Sequence, residues 1–254
     1  MIRTMALLLG MSALAPAQWF NLASKRIPRT KDGKVDMNAP APRKADGNAD
    51  LSGIWLADTP KYLQDLTTGL QPGDVVMQAW AEKVTAERKA GLHAGEESDA
   101  NCLPQGVPKI NATPVPFKII QDPELVVILY EAGDYFRVIP IDGRDHPKDL
   151  DPTWMGNSVG HWEGDTLVVD VTSVNDKVSV GEYRHTTAYH VVERFQRVSY
   201  DTLKYSATID DPNVFAAPWT EAGTFTLHPE WDIQEYICNE NNHDYKKLFE
   251  QYKH

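Results

Sequence analysis

From residue 119 onward the chain is a run of short apolar segments cut by turns, and nothing else in the sequence restricts the fold as much. Residues 119–120, 125–131, 135–141, 158–162 and 166–171 read as strands, as do 189–200, 202–210, 223–227 and 232–238. Ala132-Gly133-Asp134 and Glu163-Gly164-Asp165 join such segments through residues that favour tight turns, a hairpin signature. No helical periodicity alternates with these strands, which argues against a parallel α/β sheet. The pattern predicts a mainly β fold, an antiparallel meander closing into a barrel or a strongly curved sheet. A barrel of about eight strands has room for one small ligand.

The first half is less regular. Residues 18–50, rich in Pro, Ala, Lys, Asp and Gly, read as an irregular, exposed N-terminal arm with no sustained periodicity. Order begins at Gly53-Ile54-Trp55. Residues 74–90 form the one N-terminal helix, with Val76, Ala79, Trp80, Val84 and Ala86 on its apolar side. Glu82, Lys83, Glu87 and Arg88 are left for solvent, and Gly91 ends the helix. Residues 51–254 are read as a single β-rich domain.

The first 17 residues have the form of a secretory signal: Arg3, an apolar run from Met5 to Leu14, and the small-x-small site Ala15-Pro16-Ala17. The run is shorter than the ~20 residues of a membrane span, and no Cys follows at once to take a lipid. The expectation is a mature chain from Gln18, periplasmic or secreted, without membrane insertion. A net charge of −11 with no long basic block argues against nucleic acid as a partner. Cys102 and Cys238 can pair in an oxidising compartment, which would stabilise the fold by up to about 4–5 kcal/mol. The alternative is two separate buried thiols.

The densest chemistry lies in residues 142–170, where two His, two Trp, one Arg, one Glu and six Asp precede or occupy predicted strands. Polar groups beside a core cost about 1–3 kcal/mol each unless hydrogen-bonded, so the density suggests a site. Arg144 can grip a substrate anion in bidentate fashion or pair with a local Asp. His146, kept extended by Pro147, can act as a general base or a loop anchor. Trp154, in a loop, can stack on a ligand, whereas Trp162, on a strand, is expected in the core. In the second cluster alternation puts His190, Val192, Arg194 and Gln196 on one face, and Glu193 and Phe195 on the other. His190 and Arg194 are then site candidates if their face lines a barrel, and Glu193 a buried partner for an Arg. His185 completes a set of three histidines that could hold zinc if they met in space. Asp211 is expected at the barrel mouth. Phosphate loops, dinucleotide fingerprints, HExxH and GxSxG are all missing from the sequence.

The motifs DLSGIW (50–55), CLPQGVP (102–108), DGRDHP (142–147) and PTWMGNSVGHWEGDTLVVD (152–170) recur in order with HTTAYHVVERFQR (185–197), TIDDP (208–212), PW (218–219) and EYICNEN (235–241). In these the chain resembles a large family of exported bacterial proteins, most without an assigned function. The Gly-x-Trp ahead of a meander also resembles lipocalins, implying a lipocalin-like barrel. Family members often carry an acidic residue where this chain has Thr187, so any chemistry depending on that carboxylate would be altered here.

The resulting expectation is an enzyme acting on a small organic molecule by acid/base chemistry of lyase, isomerase or hydrolase type. His146, His190 or His185 would move the proton; Arg144, Arg194, Trp154 and Asp211 would bind substrate. No cofactor is expected, zinc being the one alternative. The rival is a passive periplasmic binding protein for an apolar or aromatic ligand, and a third reading is a structural envelope protein.

Overall fold

The strand pattern becomes one antiparallel sheet in the computed structural model, which describes residues 27–58, 66–180, 183–238 and 240. The signal segment lies outside the described residues. In chain order the strands are β1 (Gly53–Ala57), β2 (Phe117–Gln121), β3 (Leu125–Tyr130), β4 (Phe136–Pro140), β5 (Asn157–Glu163) and β6 (Thr166–Thr172). A two-residue pair follows, β7 (Ser179–Val180) with β8 (Tyr183–Arg184), then β9 (His190–Arg197), β10 (Thr202–Asp210) and β11 (Trp219–Leu227). Nine of them make one sheet in the order β4-β3-β2-β1-β11-β10-β9-β6-β5. The sheet curls until its two ends nearly meet, a nearly closed barrel.

Alternation decides which side chains fill it. On β10, Leu203, Tyr205, Ala207 and Ile209 are buried while Lys204 points to solvent. On β9, Val191, Glu193, Phe195 and Arg197 turn inward. The polar face with His190 and Arg194 is therefore the outside of the barrel, a correction to the lining role considered for it. Trp55 is fully buried at one end, with the Arg197 guanidinium 5.0 Å from its ring centre. Gly53 begins that strand at φ +149°, and a Cβ there would lie 2.5 Å from the Leu227 side chain, so the position takes only glycine.

β4 and β5, the two ends of the order, share no ladder. Side chains close the seam instead. From β4, Arg137 donates to Ser158 Oγ on β5 (2.8 Å) and to Glu193 on β9. Gly160 of β5 lets Ile139 and Ile141 pack close: a Cβ there would stand 3.0 Å from each.

Three segments depart from expectation. The helix, α1 (Ala79–Lys89), begins later than residue 74 because the preceding backbone is engaged elsewhere. Gln78 N donates to Val214 O and Ala216 N to Val76 O, both at 2.8 Å, an extended contact that a helix would break. Its buried face is Ala81, Thr85 and Arg88, whereas Trp80 stays exposed, its indole N–H bonded to Asn213 O (3.0 Å). Arg88, assigned to solvent, is buried and pairs with Glu97. Residues 232–238 are not a strand. Their amides are taken by carboxylates, Gln234 N by Glu131 (3.0 Å) and Tyr236 N by Asp134 (3.1 Å), and Cys238 is disulfide-bonded to Cys102.

The arm is also more ordered than a bare lead-in. Residues 28–36 and 42–50 repeat the pattern Pro-Arg-x-x-Asp-Gly-x-x-Asp. Each copy closes a turn in which the Arg donates to the Gly carbonyl (Arg29 to Gly33, 2.8 Å; Arg43 to Gly47, 2.9 Å). Arg43 also grips Asp165, in the β5–β6 turn, through both carboxylate oxygens. Among the described residues no helix is long and apolar enough to cross a membrane.

Candidate functional site

The outer face brings together two of the three histidines. Asp170 projects outward from β6 opposite Val192 of β9, and His190 lies two residues away on the same face. Diagonal cross-strand neighbours of this kind are within reach of long side chains. His190 Nε2 is 2.9 Å from Asp170 Oδ2. His146 arrives from the 141–156 loop and sets its Nε2 2.9 Å from the other oxygen, Oδ1. Its Nδ1 meets Asn157 Oδ1 at 2.6 Å, with Thr172 Oγ1 at 3.4 Å. With Asn157 so oriented both ring nitrogens of His146 face acceptors; turning the amide over sets a donor against Nδ1 instead. His190 Nδ1 has no hydrogen-bond partner among the described residues. The side chains of His146, Asp170 and His190 are 22%, 36% and 38% exposed, so the cluster is reachable from solvent.

His185 takes no part. It is buried against Tyr189 with ring centres 4.2 Å apart, its Nδ1 bonded to Thr186 O. Burial holds its pKa below the usual imidazole value. The three-histidine set considered for zinc is therefore not assembled, and among the described residues no group of three or more His, Cys, Asp or Glu is placed to hold a metal.

Arg144 is well exposed and binds Asp142 through two nitrogens, holding that carboxyl below its ordinary range. Arg194 pairs with Glu163, which His161 also approaches at 3.2 Å. It lies four residues along β9 from His190, about 13 Å at strand rise. Trp162 packs half-buried on the core, as does Trp154, which also borders a cleft of about 350 Å³ with Asp176, Lys177 and Arg184. Asp211 does not face an open mouth. It is fully buried and accepts from Thr186 N (2.5 Å), Thr186 Oγ1 (3.0 Å) and Asn213 N (3.1 Å), fixing the approach to β9.

A second polar centre lies inside the barrel. Glu193, fully buried, pairs with Arg137 through Oε2 and accepts from Asn111 Nδ2 (2.7 Å) and Tyr205 OH (2.8 Å) through Oε1. Tyr130 OH donates to Asn111 Oδ1 (2.8 Å). Burial opposes a charge on Arg137, but Glu193 beside it outweighs that and raises its pKa. One cross-strand row sets Glu193 opposite Ala207 and Ala207 opposite Glu221. Glu221 is 2% exposed, and its Oε1 finds no hydrogen-bond partner. Burial, then the charge of Glu193, pushes its pKa up to about 8. Sequence reasoning passed over Glu221, although inward alternation from Phe225 along β11 marks it. Glu221 borders a cleft of about 630 Å³. Compared with protein-family models and with curated proteins, the chain matches none, so the functional reading rests on this geometry.

Proposed function

We propose that the protein is an exported enzyme that moves protons on a small organic molecule at the His146–Asp170–His190 cluster. The chemistry is of lyase, isomerase or hydrolase type and uses no nucleotide cofactor. One observation carries the reading: a single carboxylate gathers imidazoles from two distant segments and leaves one ring nitrogen uncommitted. Asp170 accepts from His190 Nε2–H, which fixes the tautomer whose Nδ1 bears the lone pair. That lone pair takes the substrate proton, and Asp170 stabilises the imidazolium that results. His146, on the other carboxylate oxygen, orients Asp170 and supplies a second acid. Arg144, on the same loop as His146, exchanges Asp142 for an anionic group of the substrate. The disulfide supports an oxidising compartment such as the periplasm.

The test is solvent deuterium uptake into a panel of small carbonyl compounds and hydroxy acids in D₂O. The wild-type protein is expected to exchange at least one of them, and His190→Gln to lose about 10²-fold or more of that rate. Asp170→Asn should lose a comparable factor while substrate still binds. Equal exchange by wild type and both variants would sink the assignment.

A further inference from the structure

The outer face of the barrel changes character from one side to the other. Over β9 and β10 it is polar, carrying Arg194, Gln196, Lys204 and Ser206. Over β2, β3 and β4 it is apolar. Register sets Ile120 opposite Val127 and Val127 opposite Val138. Leu129 faces Phe136 in the row on one side, and Leu125 faces Pro140 on the other. Phe136 is 67% exposed, and Val138 and Ile120 are 45% exposed each. Scattered exposed apolar residues are ordinary, but adjoining rows of them on one face mark a surface that something covers.

The chain beyond β11 runs toward this face. His228 N donates to Ile54 O (2.8 Å), and Asp232 lies 3.4 Å from Lys118, which shares the row of Leu129 and Phe136. Tyr236 N donates to Asp134 in the β3–β4 turn (3.1 Å), and only Tyr135 separates that aspartate from Phe136. Cys238 is fixed there by Cys102, with Tyr236 and Ile237 left exposed. Residues 241–254 lie outside the described residues. In their sequence Tyr245, Leu248, Phe249 and Tyr252 follow the i, i+3, i+4, i+7 spacing of an amphipathic helix, with Lys246, Lys247, Glu250 and Lys253 between them.

We propose that the protein's own C-terminal segment covers this face: residues 245–252 dock on β2, β3 and β4 as a two-turn helix, with Leu248 and Phe249 over Val127 and Val138. Size favours this occupant. The rows measure about 10 Å across the strands and about 13 Å along them, and a helix from Tyr245 to Tyr252 is about 10 Å long. A second copy of the chain would need about 800 Å² on each partner, well beyond the rows. The inference goes beyond the proton-transfer reading and does not depend on it, because none of the three cluster residues belongs to β2, β3 or β4.

The experiment is the rate at which trypsin cuts after Lys246 and Lys247 in the folded protein, followed by mass spectrometry beside a free peptide of residues 241–254. A docked segment is cut only when it opens, so wild type is expected to be cut about tenfold or more slowly than the peptide. Val138→Ser and Phe249→Ser should each restore most of the peptide's rate, and the two together should add little, because both break one contact. Thr208→Ser, on the polar side, should leave the rate as in wild type. Unchanged amide protection in β9 and β10 certifies the fold of each variant. Cutting of wild type at the peptide's rate would overturn the proposal. Acceleration by Phe249→Ser but not by Val138→Ser would overturn it too, by placing the segment elsewhere. A wild-type dimer in sedimentation that Val138→Ser dissociates, with fast cutting throughout, would give the face to a second copy instead. His190→Gln should be cut like wild type, so failure of the histidine reading leaves this one standing.

Discussion

Glu221 is where a single residue has the clearest measurable consequence. Its carboxyl holds a proton in the folded protein up to about pH 8, against an ordinary value of 4.5 in the unfolded chain. Between those values the native state binds the extra proton, so stability falls as pH rises. The contribution is fully present below pH 4.5, is lost as pH climbs through 8, and changes little beyond. The whole loss is on the order of 4 kcal/mol. Urea midpoints compared at pH 5 and pH 9 should show this decline in wild type and a flatter profile in Glu221→Gln. Residues of this kind divide sharply in how far the sequence exposes them. Alternation set Glu193 on the face opposite His190 and offered it as a buried partner for an Arg, but which face turned inward, and which Arg, depended on the curvature that brings β4 round to β9. The meeting of His146 with His190 was equally hidden, because Asp170, which joins them, reads as one of six aspartates near a strand end.

Among the elements, the hairpins declared by Gly133 and Gly164 formed as read, since their turn chemistry is local. Misreadings came where a distant partner claimed the backbone. Val76 continues the helix's apolar side back into residues 74–78, yet the 214–216 segment takes the hydrogen bonds there. Residues 232–238 have strand-like composition, yet they lie where carboxylates from the β3–β4 turn accept their amides, in place of a neighbouring strand. The Cys102–Cys238 bond ties that segment to the irregular stretch ahead of β2. Cys102→Ser is expected to cost up to about 4–5 kcal/mol by loop entropy, measured by chemical denaturation. Amide exchange should then rise in residues 232–238 while β9 and β10 keep their protection.

At the scale of the whole molecule, a mainly β antiparallel meander and one helix followed from periodicity and turns, whereas the manner of closure did not. Closure depends on Arg137, which spans from β4 to Ser158 and Glu193. Removing one partner of a buried ion pair strands the other charge, at a cost of about 3–5 kcal/mol. Arg137→Met should therefore unfold at a much lower urea concentration. Arg137→Met combined with Glu193→Leu should recover much of the loss, as a double-mutant cycle would register. Non-recovery would mean that the seam needs the guanidinium itself as a brace.

A cylinder laddered all the way round has no first strand to lose, but this one does. β4 and β5 each have a hydrogen-bonded neighbour on one side only, so the sheet has a direction of unzipping. Once the Arg137 rivet lets go, β5 and β6 peel from one margin and β4 and β3 from the other. β9, β10 and β11 are left as the last part of the wall to open. The histidine cluster straddles the first of those margins, with Asp170 on β6 and His190 on β9, so it would come apart before that last part of the wall does.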